Sequence, residues 1–120
     1  MFLTEPEVQH AIAQAKASFP HLTDWEYRNE KDEEYFGFAV WGQFVRNPDD
    51  PMPQYFFITL DTYGEHWYGH LTIGQHCYLW SSADVGDAHL VDTASCHTLE
   101  EAIMALQMNI AQLCKAFSGS

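Results

Sequence analysis

Tyr55-Phe56-Phe57-Ile58-Thr59-Leu60-Asp61-Thr62 is the stretch on which the fold turns. Its period is two: Phe56, Ile58 and Leu60 fall on one side of an extended chain, Tyr55, Phe57, Thr59 and Asp61 on the other. Residues 35–45 repeat the pattern, with Phe36, Phe38, Val40 and Phe44 sharing a side. Between these strands, residues 47–53 hold three prolines and an Asn/Asp cluster, which cannot sustain a ladder and predict a loop. Further upstream, Trp25 and Tyr27 alternate with Asp24, Glu26 and Arg28, predicting a first strand, and residues 30–34 make a charged turn. Downstream, residues 67–73 and 76–82 predict a hairpin across Gly74-Gln75, where glycine can supply the positive φ of a tight turn. A further turn at 83–87 leads to a short last strand at 88–92.

At both ends the period changes to that of a helix. Thr4-Glu5-Pro6-Glu7 reads as a capping box, followed by Val8, Ile12, Ala15 and Phe19 on one stripe, with Pro20 enforcing the stop. Thr98-Leu99-Glu100-Glu101 repeats the signature, and Leu99, Ile103, Leu106, Ile110, Leu113 and Phe117 follow at spacings of four and three. Gly119 ends this second helix, with Lys115 near the negative end of its dipole. Met104 and Met108 project away from the stripe, as tolerated surface residues or as a small partner patch.

Both stripes need a surface to bury against, and the antiparallel strands are the only candidate. The strands mix apolar residues with Thr, Asp, Gln and His, so one sheet face carries both helices and the other does not. The expectation is one α+β domain over residues 1–120. It has two layers: an N-terminal helix, an antiparallel meander of five to six strands, and a C-terminal helix on the same face as the first.

The chain has 120 residues, 47% apolar and 15% aromatic, which suffices for a packed core. Its 17 acids against 5 cations give a formal net charge of -12. Residues 47–114 contain no lysine or arginine, so direct binding to nucleic acid or to an anionic membrane is not expected. A basic protein would be attracted; otherwise the acidity keeps a cytoplasmic, bacterial-type protein soluble. No apolar run reaches the length of a bilayer span. Cys77, Cys96 and Cys114 form an odd set without a C-x-x-C pair, which argues for reduced thiols rather than a disulfide framework or a zinc ribbon. In size, acidity and aromatic content the chain resembles small bacterial immunity and inhibitor proteins, a likeness of composition.

Strand parity nominates a surface. Opposite the helix-bearing side lie His66, Tyr68, His70, Thr72, Cys77, Leu79 and Ser81, joined by Tyr55, Phe57, Thr59, Asp61, Trp41 and Gln43 from neighbouring strands. Side chains with a large apolar body and a polar tip favour contact surfaces. Tyr55, Phe57, His66, Tyr68, His70 and Cys77 are therefore the expected partner- or ligand-binding residues on an open face. The competing reading is an ordinary wet face decorated with β-favouring aromatics.

Chemistry is harder to place. His66 and His70, four apart on a strand, stand ~13 Å from one another, too far to share an ion. The glutamate of H-E-x-x-H is absent, as are the phosphate loop, the dinucleotide fingerprint and G-x-S-x-G. Asp84, Asp87 and Asp92 do not follow the calcium-loop pattern. Cys96 precedes a helix N-terminus, where a thiol can be activated, but no third group orients His97 beside it, so an inert thiol is expected. The reading is thus a non-enzymatic acidic binding domain, self-associating as a homodimer, with no catalytic residue, metal or cofactor assigned. The alternatives are a small enzyme or ligand-binding protein with a His/Tyr/Cys-lined pocket, and an inhibitor of a basic partner.

Overall fold

Thr4 Oγ1 accepts the Glu7 amide at 3.4 Å while the Thr4 amide donates to Glu7 Oε1 at 2.9 Å, closing the first capping box. The Thr4 amide and the Thr4 hydroxyl, which donates to the same Glu7 oxygen at 2.8 Å, hold the Glu7 carboxyl below its usual range. The box opens α1 (Glu5–Ser18) in a computed structural model that describes residues 1–31, 36–74 and 88–119. After it come β1 (Thr23–Asn29), β2 (Phe36–Arg46), β3 (Gln54–Tyr63), β4 (His66–Gly74), β5 (Ala88–Asp92) and α2 (Leu99–Ser118). The strands form one antiparallel sheet in the order β1-β2-β3-β4-β5, a meander between two helices.

At the start of α2 the second box closes one residue early. Thr98 Oγ1 accepts the Glu101 amide at 3.1 Å, but Glu101 Oε2 accepts from the His97 amide at 2.9 Å, not from Thr98. Gly119 ends the helix with φ 76°, a left-handed conformation that costs glycine little.

Both helices seat on the parity face expected for them. Val8, Ala11 and Ala15 of α1 and Leu99, Ala102, Ile103 and Leu106 of α2 share one buried cluster with Phe38, Val40, Ile58, Leu60 and Trp67. Gly69 lets α2 approach: a Cβ there would lie 3.1 Å from Leu106 and 3.4 Å from the Ala102 carbonyl. Sheet-side neighbours matter as much as helix-side ones, and Phe38 packs edge-on to Trp67 with ring centroids 5.8 Å apart.

One pairing differs from expectation. The tight turn falls at Gly64-Glu65, where Tyr63 pairs with His66 and Gly64 has φ 64°. Over residues 70–73 the second edge of β4 pairs with β5, with Leu71 opposite Val91. That is the edge which the predicted hairpin across Gly74-Gln75 would have used; its strand at 76–82 lies outside the described residues. Among those residues the sheet has five strands.

Candidate functional site

Backbone register arranges the face opposite the helices in rows. Trp41, Thr59, His70 and Asp92 are cross-strand partners in turn, as are Gln43, Phe57, Thr72 and His89, and Ala39, Asp61 and Tyr68 form a third row. Parity thus puts Tyr55, Phe57, Tyr68 and His70 where the sequence placed them. Their exposure is another matter. Phe57 and His70 are buried, together with Ala39, Trp41, Thr59, Asp61 and Thr72, so the centre of this face is closed rather than open. Tyr55, Tyr68 and His66 are half-buried. His66 sits apart at the start of β4, its ring 5.6 Å from that of His97. Cys77 lies outside the described residues.

At the centre is a charged network. His70 Nε2 lies 3.2 Å from Asp61 Oδ1, and His70 Nδ1 lies 2.7 Å from Asp92 Oδ1. Ionised carboxylates only accept hydrogen bonds, so the arrangement suits a His70 ring protonated on both nitrogens and donating to each side. His89 Nδ1 adds a longer contact of 3.4 Å to the same Asp92 oxygen. Burial pushes the His70 pKa down, but the hydrogen bond and charge of Asp61, followed by those of Asp92, more than offset it and leave the pKa raised. Asp61 is buried with its side chain 5% exposed, whereas that of Asp92 is 50% exposed, so the network runs from the core to solvent. It ties β3, β4 and β5 together by side chains, on the face opposite α1 and α2.

A β-bulge builds this network. The β4–β5 register shifts between Leu71 and Thr72, with His70 opposite Asp92 but Thr72 opposite His89. Residues 89 and 92 of a regular strand would face opposite sides; one extra residue reverses the parity and sets both beside His70. Spacing alone carries no sign of that residue, so Asp92 and His89 could not be nominated from the sequence. Asp61 could have been, since parity alone placed it on the His70 face.

Two neighbours of the network are unusual. The hydroxyls of Thr59 and Thr72 are buried and have no hydrogen-bond partner among the described residues. A buried hydroxyl without a partner carries a desolvation cost. No group of three or more His, Cys, Asp or Glu among the described residues is placed to hold a metal ion. Cys96 is buried and its Sγ lies 3.4 Å from the Ala94 carbonyl oxygen. Burial raises its pKa, a hydrogen bond with Thr93 works against that, and Glu101 raises it further, so the thiol stays protonated and a poor nucleophile.

An accessible apolar surface lies on the helix side. Leu22, Phe44, Phe56, Ile58, Leu71 and Ile110 line a groove of about 310 Å³ where α2 leaves the sheet, with Arg46 at its rim. Burial falls off along the α2 stripe: Leu99, Ile103 and Leu106 are buried, Ile110 and Leu113 half-buried, and Phe117 is 82% exposed. Phe44 stands 46% exposed at the groove, its ring 6.3 Å from that of Phe56. On the opposite side of α2, Met104 and Met108 are also exposed.

No helix among the described residues is long and apolar enough to cross a membrane. Compared with protein-family models, with curated proteins and with solved structures, the chain matches none of them.

Proposed function

We propose that this chain is a non-enzymatic interaction domain that docks an apolar surface in the groove between α2 and the ends of β2 and β3. The observation that carries this reading is the groove itself, lined by Leu22, Phe44, Phe56, Ile58, Leu71 and Ile110, with Phe117 exposed further along the same stripe of α2. Contiguous exposed apolar patches on folded domains mark contact sites far more often than scattered apolar residues do. The central Phe57 and His70, by contrast, are too buried to contact a partner without rearrangement.

Anilinonaphthalene sulfonate, an aromatic anion whose fluorescence rises in apolar surroundings, tests the reading. Arg46 at the rim offers its sulfonate a cation. The folded protein is expected to enhance its emission, and Phe44→Ser to remove most of that gain with the circular dichroism unchanged. Absence of enhancement with the wild-type chain would refute the groove as a docking surface.

One observation favours a second reading, a small-molecule site on the opposite face. The unpartnered hydroxyls of Thr59 and Thr72 lie beside the Asp61–His70–Asp92 network, and a small polar ligand would supply their missing bonds. Screening polar fragments while following the His70 ring resonances tests it; resonances that no fragment moves would remove this option.

A further inference from the structure

We infer that the groove's occupant is a second copy of this chain, paired through the C-terminal half of α2 about a two-fold axis; this rests on the docking reading above. Charge is the first argument. All 17 acidic residues precede position 102, so residues 102–118 of α2 carry none, and Lys115 is their one charge. The groove lining likewise holds no acid, only Arg46. A chain of net charge -12 repels its own copies at long range. Along the C-terminal half of α2 two copies can meet without setting carboxylates against carboxylates. A basic partner would be drawn to the acids, which lie elsewhere.

Self-complementarity is the second argument. Phe117 projects from the same stripe as Ile110, seven residues and ~10 Å further along the helix. An antiparallel pair of α2 helices crossing near Leu113 sets Phe117 of each copy against Ile110, and hence the groove, of the other. Knob and hole on one molecule in this relation satisfy an isologous contact, in which each copy gives what it receives. The overlapping segments are only ~20 Å long. The interface therefore falls below the ~800 Å² per partner of a standard complex, and the dimer is weak and reversible.

Sedimentation equilibrium of the full chain up to about 0.5 mM tests this, at low salt and at about 0.5 M salt. The expected result is a monomer–dimer equilibrium that tightens severalfold with salt, because screening removes the repulsion between the two acidic bodies. Phe117→Glu should weaken it roughly a hundredfold, since the two-fold axis repeats the loss at both ends. Met104→Glu, an equal charge on the far side of the same helix, should change it by less than about threefold. A monomer throughout that still binds anilinonaphthalene sulfonate would overturn the second copy and leave the docking groove standing. A monomer that binds no probe would remove both. Dimerisation that weakens with salt, or that survives Phe117→Glu, would overturn the pairing.

Discussion

The two faces of the same sheet are sealed by different means. On one, Phe38, Val40, Ile58 and Leu60 meet the stripes of two helices, and the seal is apolar apart from Thr62, whose hydroxyl accepts from the Phe38 amide. On the other, residues one step along the same strands bury an aspartate, a histidine and two threonines among Trp41, Phe57 and Ala39. The first face is tolerant in its chemistry, since hydrophobic burial has no direction. The second depends on geometry: a buried imidazolium is stable only while both carboxylates hold it. Adjacent residues in one strand thus report to two different kinds of physics.

The strongest break of this contrast is His70→Ala. It leaves Asp61 buried with its cation removed, and removing one member of a buried ionic set costs about 4 kcal/mol. Urea denaturation should show that loss, a large share of a small domain's total stability. Leu60→Ala on the apolar face should cost about 3 kcal/mol as a cavity, with no dependence on pH. The pH response separates the two faces further. Because the folded pKa of His70 is raised, its stabilisation is full below the pKa of an unfolded histidine. It disappears as pH rises through the folded value. Stability of the wild-type chain should therefore fall across that window by an amount absent from His70→Ala. The smallest effects have the opposite sign: Thr59→Val or Thr72→Val removes a buried hydroxyl without a partner among the described residues and should be neutral or stabilising by up to about 1 kcal/mol. A loss of more than that in either variant would show that the hydroxyl is bonded.

Much of this architecture is legible in the sequence, for reasons that are local. Alternation in Phe56, Ile58 and Leu60 and in Phe38 and Val40 assigns the helix-bearing face, and Thr4 and Thr98 mark both helix starts. Those signals lie within a few residues of each other. The edge pairing was not legible, because residues 70–73 of β4 pair with β5, partners far apart in sequence that no local turn signal marks. The site was half legible. Parity places Tyr55, Phe57, Tyr68 and His70 on one side but says nothing about burial, which depends on what surrounds them. The bulge that turns His89 and Asp92 to the same face leaves no trace in composition. The exposure of Phe117 was hidden for a related reason: periodicity assigns it to the stripe, yet the sheet ends before the stripe does.

The account stands or falls on the state of one imidazole, since the docking proposed for the helix layer takes the second face as closed. Long-range proton–nitrogen correlation spectroscopy of the His70 ring measures it directly. The prediction is a midpoint above that of an ordinary histidine, below which both ring nitrogens carry protons, and a shift that Asp61→Asn reduces. A ring with one bare nitrogen at neutral pH, titrating at or below the ordinary value, would contradict it.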